Sequence, residues 1–164
     1  MKFHQHSGQS AEFYGIDPFL AEIIRQIPRA AQPEDDPAAK ARLFSAPTHD
    51  DDELTRDWHD FVIPDLRLQF DSALSVVQRD LAENFVEGDG DDDFPFKLHV
   101  PQEHVDAWLS ALNQARLVLA ARHGFSDEEL SGKFQPKLTS LRELALYQIT
   151  IYGWMQELLL STLA

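Results

Sequence analysis

From Val105 to Gly124 the chain reads VDAWLSALNQARLVLAARHG. Counting from Val105, the residues Trp108, Leu109, Leu112, Arg116 and Leu119 recur at i, i+3, i+4, i+7 spacing, the period of one face of an α-helix. Gly124 stands where a left-handed residue closes a helix. A stripe of this length has to be buried against other elements, so this one segment commits the chain to a fold built on packed helices. It also poses a problem, because a guanidinium sits near the middle of the apolar stripe.

An arginine buried without a partner costs several kcal/mol, on the order-of-magnitude scale for buried ions. Arg116 therefore needs a carboxylate, backbone carbonyls or a cleft. On a helical wheel Asp80 lies at the edge of the apolar stripe of the segment beginning at Asp65, and it is the preferred partner. Glu157, on the far side of the last helix, is the second. Asn113 flanks the stripe of Arg116. Gln148 interrupts the last helix's stripe of Leu141, Ala145, Tyr152, Met155 and Leu159. Asn113, Arg116, Asp80, Gln148 and Glu157 thus form the candidate polar cluster. It reads as a clamp that fixes helix packing, or alternatively as a cleft in which Arg116 grips a small anion or carboxylate.

The other segments follow the same logic. Residues 1–15 carry alternation and turn residues that suit a hairpin. Asp17 and Pro18 open a helix that Pro28 ends. Asp36 and Pro37 open a short one. Leu54, Trp58, Phe61 and Val62 mark another, which Pro64 ends or kinks. From Asp65 to about Phe85, Leu66, Phe70, Ala73, Leu74, Val77 and Leu81 cluster on one face. Residues 87–93 form an acidic loop, and residues 94–100 alternate as a strand. The last helix spans 137–163, apolar over most of its circumference.

Composition excludes more than it assigns. The chain has 164 residues, a net charge of −14 and no cysteine. Direct nucleic-acid binding and anionic membrane surfaces are disfavoured by that charge. Thiol nucleophiles, disulfides and Cys-based metal centres are ruled out. Neither a signal-type apolar core nor a stretch of the roughly 20 apolar residues that a membrane span needs occurs, so a cytoplasmic location is expected. Phosphate-binding glycine loops, a G-x-S-x-G elbow and an E-x-x-H pair are absent from the sequence. Asp89, Asp91 and Asp93 match the first ligand positions of a calcium loop, but Phe94 replaces its glycine and Val100 its bidentate Glu. His4 and His6 share one face of a strand and need a third group such as His99 to bind a metal. No cofactor and no metal are expected.

Three stretches carry a resemblance: PDLR (Pro64–Arg67), AWLSALNQARLVLAAR (Ala107–Arg122) and YGWMQELLL (Tyr152–Leu160). They resemble domain-of-unknown-function family 2017, known mainly from actinobacteria, and the likeness covers most of residues 17 to 163. Trp108, Leu112, Asn113, Arg116, Leu117, Gly153, Trp154, Gln156 and Glu157 match its shared pattern. The resemblance implies no reaction. It couples Arg116 to the Gln-Glu pair on the last helix.

The expectation is one mainly α domain over 1–164: an irregular or orthogonal bundle of four to five helices, with a small antiparallel sheet from the N-terminus and residues 94–100. The expected function is that of a non-enzymatic cytoplasmic interaction or regulatory protein. Alternatives are a small-anion or carboxylate binder using Arg116, and a stress- or transcription-associated regulator acting through protein contacts. An unknown protein partner, or a homodimer through the 137–163 helix, completes the reading, with no direct nucleic acid and no membrane.

Overall fold

A computed structural model describes residues 1–6, 10–48, 50–88, 93–131 and 137–163. The chain is mainly helical and carries a small four-stranded antiparallel sheet. The strands β1 (Lys2–Gln5), β2 (Ala11–Ile16), β3 (Phe85–Glu87) and β4 (Phe96–Val100) are ordered β1-β2-β4-β3. Ala11, Phe13, Leu98 and Val100 are fully buried on its inner face. Strict alternation would turn Gly15 inward next. Instead the register shifts between Phe13 and Ile16, with Gly15 at φ 62, and Ile16 is buried in its place. Glycine tolerates that backbone freely.

The hairpin and the strand near 94–100 are where the sequence places them. Strand β3 is not: the expected helix stops at Glu83, and Phe85–Glu87 pairs with β4 at the sheet's edge.

The helices are α1 (Pro18–Arg25), α2 (Ile27–Ala30), α3 (Pro37–Leu43), α4 (Asp52–Asp57), α5 (Ile63–Glu83), α6 (Val105–His123), α7 (Asp127–Ser131) and α8 (Leu141–Ser161). They outnumber the four to five expected. Proline is the main reason. Pro28 does not end the first helix but opens α2, after a break at Gln26. Pro64 lies in the first turn of α5, just after a π-helical turn over Trp58–Val62. There the Ile63 N–H reaches the Trp58 carbonyl five residues back. Within a straight α-helix a proline ring would crowd the carbonyl four residues earlier, and the wider turn relieves that conflict.

Local caps work as the sequence predicts. Asp17 accepts from the Leu20 amide at 2.8 Å and Asp36 from that of Ala39 at 2.9 Å, each satisfying a donor that the first helical turn leaves free. Gly124 closes α6 at φ 61. Ser140 caps α8, so this helix starts at Leu141 and not at 137.

The central element is α6. It packs against α8, α5, α3 and α2. Val105, Trp108, Ala111, Leu112, Ala115, Val118 and Leu119 are all buried, which wraps the apolar surface well beyond one stripe. Small Ala111 and Ala115 let neighbouring helices approach closely. Among the described residues no helix is long and apolar enough to cross a membrane.

Candidate functional site

Asp80 is the most tightly held polar side chain in the core. It lies one turn from the end of α5 and is 1% exposed. The Trp108 indole donates to its Oδ2 at 2.8 Å. His104 Nδ1 lies 2.9 and 3.0 Å from its two oxygens. The Asn84 amide donates to Oδ1 at 3.1 Å. A buried carboxylate is tolerable only when its lone pairs are satisfied in this way. The bonds tie together the end of α5, the turn Gln102–His104 and the start of α6. Asn84 extends the tie to the sheet, because its carbonyl accepts from the His99 amide at 3.1 Å.

The expected pairing of Arg116 with Asp80 is therefore corrected. Trp108 and Arg116 are eight positions apart on α6, about 12 Å along a helix, so Asp80 at the Trp108 end does not serve both. The missed signal is Trp108 itself: a buried indole N–H seeks an acceptor, and Asp80 is it.

Arg116 turns instead toward α8. It is partly buried at the flank of α6, not in the middle of the buried surface. Its Nη1 donates to Gln156 Oε1 at 2.6 Å. Gln156 in turn donates from Nε2 to the Leu109 carbonyl at 3.4 Å. The guanidinium lies flat against Gly153, where a Cβ would stand 3.4 Å from Arg116 Cζ and Nε. Its Nε is buried and bonds to nothing among the described residues. The last-helix partner implied by the shared pattern is thus Gln156, while neighbouring Glu157 is exposed.

The remaining candidates separate. Gln148 is 7% exposed and donates to Gln26 Oε1 at 2.9 Å. Beside it the Tyr152 hydroxyl donates to the Ile23 carbonyl at 2.8 Å, and burial pushes the Tyr152 pKa up. These two residues hold α8 to the junction of α1 and α2, where Pro28 brings no N–H. Asn113 is exposed. The expected cluster is thus three separate ties, and Asn113 and Glu157 belong to none.

The sequence reading passes over a different feature. A cavity of about 530 Å³ lies between α3 and the helix that follows the π turn. Lys40 and Phe44 line it from one side, His59, Ile63, Pro64 and Arg67 from the other. A second cavity of about 320 Å³ adjoins it and shares Lys40, Phe44 and Arg67.

The histidines of the sheet do come near one another. His4 pairs with Glu12 across β1 and β2, and Glu12 with His99 across β2 and β4. Among the described residues, however, no three His, Asp or Glu side chains stand placed to hold a metal ion. Asp89 and Asp91 of the calcium-loop reading lie outside the described residues.

No curated protein and no solved structure matches the chain. A family model does, over residues 5–163 of the 164. That range takes in strands β2, β3 and β4, the Asp80 tie and the Arg116–Gln156 pair together. The chain belongs to the family described as "Domain of unknown function (DUF2017)".

Proposed function

We propose that the protein is a non-enzymatic interaction or regulatory protein that docks a basic partner on the surface carrying Phe61 of the π turn and Leu68 of α5. The observation that supports this is their exposure, 70% for Phe61 and 69% for Leu68. Two large apolar side chains left in water at a spacing of two helical turns form one face, and exposed apolar groups of this kind suit a partner surface. Asp57, Asp65 and Asp71 fall three or four residues from one or other of them, so acids interleave with the anchors. A second copy would set acid against acid, whereas a Lys- or Arg-rich segment with apolar anchors complements the face. The three polar ties of the core support a structural rather than catalytic use of Asp80, Arg116 and Gln148. The lack of cysteine suits a reducing cytoplasm, and regulation of stress responses or transcription would then run through such protein contacts.

The experiment is a pull-down from the native host with the wild-type chain, Phe61→Ser/Leu68→Ser and Asp57→Asn/Asp65→Asn/Asp71→Asn. The reading expects a salt-sensitive partner that both variants lose while their circular dichroism is unchanged. Equal capture by all three proteins overturns it.

A second reading is a homodimer through α8, favoured by the exposure of Trp154 at 38% and Leu160 at 52%. Light scattering on the eluting protein distinguishes the two. A dimer that Leu160→Glu makes monomeric supports the second reading, and a monomer at all concentrations rejects it.

A further inference from the structure

We propose that the cleft between α3 and the π-turn end of α5 binds a small organic anion with a flat apolar body, an aryl carboxylate or aryl phosphate. The site is separate from the Phe61–Leu68 face and does not depend on it.

The sequence builds the site in two ladders. Lys40 on α3 and Phe44 at its C-terminal cap are four residues apart. Opposite them, His59 of the π turn and Ile63 and Arg67 of α5 follow at the same interval. Residues spaced by four stand one above another on a helix. The π turn at Trp58–Val62 lets the chain run through Pro64 without a break, so His59 lines the same cavity as Arg67. Single π turns recur at functional sites because they re-aim side chains in this way. Trp58 braces the opposite wall, its indole donating to the Phe44 carbonyl at 3.4 Å.

Charge sets this cavity against the acidic average of the chain. The chain carries 28 acidic residues against 14 Lys and Arg. Yet among the described residues lining the larger cavity none is acidic, and its polar groups are Lys40, His59 and Arg67. Arg67 forms no ion pair among the described residues, and its guanidinium lies over the Phe44 ring, 5.1 Å from the centroid. A cation stacked on an aromatic face keeps its donors free for a planar anion. Among the described residues the Lys40 ammonium pairs with Asp35 alone, at 3.3 Å, and Asp35 is fully exposed. A surface pair of that kind is weak and yields readily to a better placed anion.

The apolar half is equally defined. Phe44, Ile63 and Pro64 supply the walls of a cavity whose volume, about 530 Å³, falls in the range of small-molecule sites. A lining that joins charged donors with apolar walls suits a molecule with an anionic head and a flat body. Aryl carboxylates and aryl phosphates share that chemistry.

The test is a titration followed by ¹⁵N–¹H NMR of the full chain. The probes are benzoate, phenyl phosphate, inorganic phosphate and benzamide, the last a neutral counterpart of benzoate. The proposal expects saturable shifts at residues 39–44 and 59–70 with benzoate or phenyl phosphate, and the tighter of the two names the head group. Benzamide and inorganic phosphate should bind at least about tenfold more weakly, because each lacks one half of the match. Arg67→Gln and Lys40→Gln should each weaken the aryl anion about tenfold, whereas Arg142→Gln should not. Three results overturn the proposal: no saturable shift at the solubility limit, equal binding of benzamide or inorganic phosphate, or binding that Arg67→Gln leaves unchanged. The spectrum of each variant reports its own fold, so lost binding is not confused with unfolding.

Discussion

Arg116 on α6 donates through Nη1 to Oε1 of Gln156 on α8 at 2.6 Å. A charged donor meets a neutral acceptor, and no carboxylate takes part. Gln156 then returns a bond to the Leu109 carbonyl, so one amide joins two turns of α6. The pair locks the rotation of α8 on α6, the two helices that share the most extensive packing in the fold.

A double-mutant cycle with Arg116→Met and Gln156→Met should show a coupling of about 1–2 kcal/mol in urea unfolding, as for a partly buried bond to a charged group. The matching cycle between Arg116 and Asp80 should give a value near zero. A large Arg116–Asp80 coupling would contradict the placement of both side chains.

Asp80→Ala leaves the Trp108, His104 and Asn84 donors without their shared acceptor, and should destabilise the fold by about 3 kcal/mol. Asp80→Asn retains one acceptor oxygen and should cost about half as much. Chemical unfolding followed by tryptophan fluorescence measures both. Equal stability of Asp80→Ala and wild type would mean that the tie does not hold α5 to α6.

Gly153 sits under the Arg116 guanidinium with room for one carbon, since a Cβ there makes only ordinary contact at 3.4 Å. Gly153→Ala should be neutral or stabilising by up to about 1 kcal/mol, the propensity gain in a helix. Gly153→Leu should displace the guanidinium and cost about 1–3 kcal/mol. Thermal melts of the two variants check the opposite signs.

His123 gives the fold a pH dependence. Burial, then the Arg122 and Arg142 charges, hold its pKa below the ordinary 6.5. The folded chain therefore prefers the neutral ring. Above 6.5 the ring is neutral in both states and costs nothing. As pH falls through 6.5 toward the lower folded value, the unfolded chain takes up the proton first, and stability declines. His123→Gln should flatten the dependence of urea midpoint on pH in that window. An unchanged slope would remove His123 as its source.

Much of the fold is readable in the sequence because its causes are local. Asp17, Asp36 and Gly124 cap helices through their own near neighbours. The stripe of Ala73, Leu74 and Val77 on α5, and that of Ala145, Tyr152, Met155 and Leu159 on α8, are buried as the helical period predicts. Pro64 announces a disturbance, though not whether it ends, kinks or widens the helix.

What the sequence alone determined is where the long helices lie, which faces of α5 and α8 turn inward, and that Arg116, Asp80 and Gln148 need partners if drawn into the core. Each follows from periodicity or from the cost of an unsatisfied polar group. Tertiary structure alone decided who those partners are. A wheel gives the direction of Asp80 around its helix but not its height along α6. That height gives it Trp108 and His104 and leaves Arg116 to Gln156. The facing of Lys40 toward Arg67 is of the same kind, because the two stand on different helices, and only the packing of α3 against the turn at Trp58–Val62 brings them to one cleft.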